Sequence, residues 1–81
     1  MYYVYAISSL ERNYIYVGLT DNIERRLSEH NSGKNKTTRA YSPFELIYSE
    51  ECGSRAEARN REKYFKSGIG KEKLRSIREN L

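Results

Sequence analysis

The segment Tyr2-Tyr3-Val4-Tyr5-Ala6-Ile7-Ser8-Ser9-Leu10-Glu11-Arg12-Asn13-Tyr14-Ile15-Tyr16-Val17-Gly18-Leu19 decides the fold. Its aromatic and β-branched residues fall in two runs, Tyr2 to Ser8 and Tyr14 to Leu19, and both read as strands. The polar connection Ser9 to Asn13 is short enough to demand an antiparallel hairpin. Side chains alternate between the two faces of a strand, so Tyr3, Tyr5 and Ile7 share one side and Val4 and Ala6 the other. On the second strand Tyr14, Tyr16 and Gly18 lie opposite Ile15, Val17 and Leu19. The aliphatic faces read as core, while the tyrosine faces ask for a function. Pairing Tyr5 directly with Tyr16 would put Ile7 opposite Tyr14.

Helix signals follow the hairpin. Asp21 with Glu24 three residues on resembles a capping box, Ile23 and Leu27 form an apolar stripe, and Asn31-Ser32-Gly33 closes the helix. A polar, basic loop runs from Gly33 to Ser42. Pro43 introduces a third strand, Phe44 to Ser49, whose alternation sets Leu46 and Tyr48 against Ile47. Ser54 with Glu57 is a capping box opening a helix to about Lys66. Gly68 and Gly70 break it, and a last helix from about Lys71 to Asn80 presents Leu74, Ile77 and Leu81. The order β-β-α-β-α-α predicts a small three-stranded antiparallel sheet flanked by helices, an α/β (α+β) sandwich.

Eighty-one residues suit one domain spanning 1–81. Fifteen Lys and Arg against eleven Asp and Glu give a net charge of +4. The excess is uneven: residues 22–40 and 52–81 are basic, whereas 41–51 are acidic. Two basic segments around an acidic strand fit a surface for nucleic acid; solvated helix faces would look the same by charge alone. Cys52 is the sole cysteine, which excludes an intramolecular disulfide and a cysteine-based zinc site. No apolar run is long enough for a membrane span, and the first residues are strand-like instead of a secretory signal. A soluble, cytoplasmic protein without a membrane partner is expected.

Five ordered blocks carry a resemblance. Tyr3-Val4-Tyr5 and Tyr16-Val17-Gly18 stand as the two tripeptides of the GIY-YIG nuclease family, and Arg26 with His30 resembles its first helix. Pro43-Phe44-Glu45-Leu46-Ile47-Tyr48 resembles its third strand, and Arg55 to Lys66 the helix that bears its metal-binding glutamate. Nearly the whole chain is covered. It is similar to short bacterial proteins made of little more than this domain, related to the incision domain of the excision-repair nuclease. Two departures are visible: Tyr3 replaces the first glycine, and Leu19 stands where some members carry a lysine.

The resemblance implies a divalent-metal-dependent endonuclease that hydrolyses DNA phosphodiester bonds, structured or damaged DNA among its substrates. It implies Tyr5, Tyr16, Arg26, His30 and Glu62 as catalytic residues, with Glu62 holding one Mg²⁺ or Mn²⁺. Arg26 and His30 are four apart and share a helix face, beside the stripe of Ile23 and Leu27. On spacing alone Arg26 reads as an ordinary surface arginine. Glu62 lies between Ala58 and Phe65 on the apolar face of its helix, where a carboxylate needs a metal ion or a salt bridge to Arg26 or a lysine. A phenol acting as base needs its pKa lowered by Arg26 and the metal. Tyr16 is assigned as base and Tyr5 as its partner; the reverse assignment stays open. Gly18 is expected where substrate approaches the backbone. Lys34, Lys36, Thr37, Thr38 and Arg39 form a loop suited to phosphate contacts, and Arg55, Arg59, Lys63 and Lys66 a basic stripe. The alternatives are a nucleic-acid-binding module of the same fold without useful turnover, and a protein-interaction domain for an acidic partner.

Overall fold

In the computed structural model, which describes residues 1–81, the hairpin is formed by β1 (Tyr2–Ser9) and β2 (Ile15–Thr20). Helix α1 (Ile23–Asn31) follows, then a 3-10 turn (Arg39–Tyr41), β3 (Phe44–Cys52), α2 (Arg55–Lys66) and α3 (Gly68–Glu79). The sheet is antiparallel throughout with β1 in the middle, in the order β2-β1-β3. The three-stranded sheet and the order β-β-α-β-α-α are those expected from the sequence.

Both faces of β1 are buried, against different partners. Val4, Ala6, Ile15, Val17, Ile47 and Cys52 pack with Ala58 and Phe65 of α2 and Leu74 of α3 in an aliphatic core. On the other face Tyr5, Ile7 and Phe44 are covered by Ile23 and Leu27 of α1, together with Tyr14, Tyr16 and Tyr41. The α1 stripe therefore does anchor that helix, and the tyrosine face lies beneath it.

Several local expectations are corrected. Asn22, not Asp21, caps α1: its side chain accepts from the Arg25 N–H at 3.0 Å, freeing Asp21 to pair with Arg25. A bulge between Ala6 and Ile7 shifts the pairing with β3, so Tyr48 joins Ile47 at the aliphatic core and only Leu46 turns outward. Alternation cannot anticipate an inserted residue. Helix α3 starts one turn before Lys71, capped by the Ser67 side chain, because Gly70 fits inside the elbow. A Cβ there would lie 2.1 Å from the Tyr64 carbonyl oxygen, so only glycine lets α2 and α3 come this close. Leu81 lies past the end of α3 and is exposed.

Candidate active site

Register is the first determinant of the site. Tyr5 pairs with Gly18 and Ile7 with Tyr16, two residues away from the pairing expected. A two-residue shift preserves the face, so both phenols still lie on the same side, diagonal to one another, with ring centroids 6.3 Å apart. The cause is steric. The Tyr5 ring lies on Gly18, where a Cβ would come within 2.6 Å of the hydroxyl oxygen. Gly18 is thus not the bare approach for substrate backbone that was expected. It is buried beneath the phenol it admits.

Tyr5, on the central strand, is 1% exposed, and its hydroxyl meets Nε2 of His30 at 2.9 Å. His30 comes from the last turn of α1 and is fully buried; its Nδ1 meets Oγ1 of Thr38 at 2.7 Å. Thr38 is fully buried as well, so it does not serve as the phosphate contact assigned to its loop. Asn31 holds this arrangement against β3, its side chain donating to the Phe44 carbonyl and accepting from the Phe44 N–H. The ring of Tyr16 stands 4.9 Å from that of His30 by centroid and keeps partial access to solvent.

Electrostatics separate the groups. Burial, then Arg26, pushes the His30 pKa down, with Glu29 opposing, so the imidazole is neutral at pH 7. A neutral imidazole has one donor and one acceptor nitrogen, and two bonds occupy both. The chain runs either from the Tyr5 O–H through His30 to Thr38, or in reverse. The Tyr5 pKa is raised, chiefly by burial, and Arg26 beside the hydroxyl only partly offsets this. Desolvation of the buried phenol is the larger effect, in keeping with Tyr5 as the partner and not the base.

Arg26 donates through Nη1 to Glu29 at 2.8 Å and keeps 28% of its side chain exposed. It lines a cleft of about 270 Å³ with Tyr2, Leu19, Thr20, Asp21, Arg25 and Arg55. Glu62 sits between Ala58 and Phe65 as its stripe requires, 18% exposed, and its carboxylate reinforces the rise of the Tyr5 pKa. Its direct partner is Lys66 at 3.2 Å, not Arg26. No group of three or more His, Cys, Asp or Glu side chains gathers anywhere in the chain. Of the basic residues, Lys34, Lys36 and Arg39 are exposed near the α1 end, and Arg55, Arg59 and Lys63 line one open groove on α2. Thr38 and Glu29 were missed as members of the cluster. Neither position carries a sequence signal beyond its nearness to His30, Glu29 directly before it and Thr38 eight residues after it.

A small α+β fold, a three-stranded antiparallel sheet with helices on both faces, thus buries a Tyr–His–Thr chain beside an arginine-lined cleft. The model of the GIY-YIG catalytic domain matches residues 1–75, and the chain belongs to the GIY-YIG family. A UPF0213 protein of Bacillus licheniformis is 43% identical over 79 residues, covering 96% of this chain and 80% of that protein. One from Staphylococcus haemolyticus is 38% identical, covering 96% and 95%. The solution NMR structure of a UPF0213 protein from Bacillus halodurans superposes with a TM-score of 0.55 at 36% identity, covering 95% of this chain and 85% of that one. No helix is long and apolar enough to cross a membrane.

Proposed function

We propose that this protein is a divalent-metal-dependent endonuclease that hydrolyses DNA phosphodiester bonds in the cytoplasm. The observation that carries the reading is the gathering of Tyr5, Tyr16 and His30 on one sheet face, with Arg26 opening from it into a basic cleft. Tyr16, the half-exposed phenol, is the base that takes a proton from the attacking water. Tyr5 stays protonated, since burial raises its pKa, and, held by its bond with His30, it positions the neighbouring Arg26 for the phosphate. Arg26 keeps its charge and grips the phosphate oxygens as negative charge develops. Glu62 fits a metal role: one half-shielded carboxylate is normal for Mg²⁺ or Mn²⁺, with waters and phosphate completing the shell. A bound ion would neutralise phosphate charge and acidify the attacking water.

Two observations favour a second reading, a binding module of the same fold with little turnover. Glu62 is already paired with Lys66, and Leu19, where some members carry a lysine, borders the Arg26 cleft. Branched, single-stranded and duplex DNA incubated with Mg²⁺ or Mn²⁺, against EDTA, separates the two. Cleavage should vanish in Glu62→Ala and Tyr16→Phe, and Arg26→Ala should lose about 10²–10³ in rate while binding falls much less. If both variants cut like the wild type, the mechanism fails. Binding without cutting under either metal gives the second reading.

A further inference from the structure

Away from these residues, Asn13, Tyr14, Ile15, Lys71 and Arg75 line a recess of about 240 Å³ at the start of β2. No acidic side chain borders it. The ion pairs of the protein join Arg25, Arg26, Arg61 and Lys66 to Asp21, Glu29, Glu50 and Glu62, and leave Lys71 and Arg75 without a counter-ion. Lys71 is fixed in place: its Nζ donates to the Ile15 carbonyl at 2.8 Å, leaving two ammonium donors for a ligand. Arg75 follows four residues later, hence on the same face of α3, and is exposed. An ordinary surface lysine extends its ammonium into water. This one is half-buried, and burial together with Arg75 and Lys66 pushes its pKa down. An anion in the recess would relieve that repulsion.

The location gives the site a direction. β2 is an edge strand, and Ile15, which holds Lys71, immediately precedes Tyr16. At the other end of the same strand, Leu19 and Thr20 border the cleft of Arg25, Arg26 and Arg55. The two basic pockets therefore lie about 17 Å apart, at roughly 3.4 Å per residue along β2. Tyr16 and the Gly18–Tyr5 pair lie between them. Phosphates recur along a DNA backbone at intervals well below the separation of the pockets, so a strand running along β2 would present a phosphate to each, a few nucleotides apart.

We propose that Lys71 and Arg75 form a second phosphate-binding site, which holds the backbone of a DNA strand a few nucleotides from the phosphate gripped by Arg26. The ammonium supplies a point charge and the guanidinium a two-pronged grip. The proposal rests on the nuclease reading for the choice of DNA as the ligand, but it concerns binding, not cutting.

Equilibrium binding of a short fluorescent duplex, measured in EDTA by anisotropy across a salt series, tests it without requiring turnover. Arg75→Ala should weaken binding about three- to tenfold and flatten the log–log salt slope by about 0.9, the loss of one phosphate contact. Lys71→Met, which keeps the stem packed, should do the same, and Arg75→Lys should restore most of the affinity. Arg75 is exposed, so its variants retain the fold. Wild-type affinity and slope in both Arg75→Ala and Lys71→Met would overturn the site, as would failure of the wild type to bind DNA. Weaker binding with an unchanged slope would overturn it too. If Arg75→Ala weakens binding although the wild type never cuts, the endonuclease reading falls and this site stands. If the wild type cuts and Arg75→Ala binds as well as it does, the site alone falls.

Discussion

The two faces of one sheet are built on opposite principles. Toward α2 and α3, Val4, Ala6, Val17, Ala58, Phe65 and Leu74 exclude water with almost no polar atoms. Toward α1, Tyr5, His30 and Thr38 are just as deeply buried, yet each carries a polar group that must be satisfied. No buried side-chain polar atom lacks a partner, so the second face also closes without loss. The aliphatic face stabilises through area removed from water, and the polar face fixes positions through directed hydrogen bonds. The proposed chemistry belongs to the second, where directed bonds hold the side chains in fixed positions.

The contrast is broken most severely at Leu74. Leu74→Ala empties a fully buried site and should cost about 2–5 kcal/mol in chemical denaturation, while DNA binding by the folded fraction stays unchanged. A comparable change in affinity would mean the two faces are coupled. Gly18→Ala acts on the other face. The new Cβ would collide with a phenol ring that His30 holds in place, costing about 1–3 kcal/mol and displacing Tyr5 from its bond. Retention of full stability and an unchanged His30 NMR signal would show that the ring is free to move.

A smaller effect is expected from Thr38→Val, which keeps the shape and removes the hydroxyl. Leaving Nδ1 of buried His30 unpaired should cost about 1–2 kcal/mol, and His30→Leu combined with Thr38→Val should cost less than the two separate losses added together. Strict additivity would dissolve the idea of a connected chain.

The smallest effect is on pH dependence. The folded pKa of His30 lies below its ordinary value near 6.5, so the unfolded chain binds this proton more readily than the folded one. That stability is fully present above pH 6.5 and declines as pH falls toward the folded value. Melting temperatures between pH 7 and 5 should drop more in the wild type than in His30→Gln, in the window above the titration of Glu29 and Glu50, whose pKa values are lowered by Arg26 and Arg61. Equal slopes would place the imidazole in contact with water.

Local rules acting over a few residues were enough to specify the hairpin, the order of elements, the Ser54 cap, and the placement of Ile23, Leu27 and Glu62 on inward edges. Those features follow from alternation, helical spacing and turn chemistry, all readable along the chain. The ordered blocks around Tyr5, Tyr16, Arg26, His30 and Glu62 also marked the family. Only the tertiary structure decided what depends on contacts between distant segments. The register came from the fit of Tyr5 over Gly18, and the helix elbow from the space at Gly70. The bulge in the β1–β3 pairing likewise appears only where the two strands meet. Burial, a property of the packed chain, raised the Tyr5 pKa and turned Thr38 from a loop residue into the support of His30. A sequence lists which groups a residue carries; which neighbour reaches it first, and whether water does, is settled by packing in three dimensions.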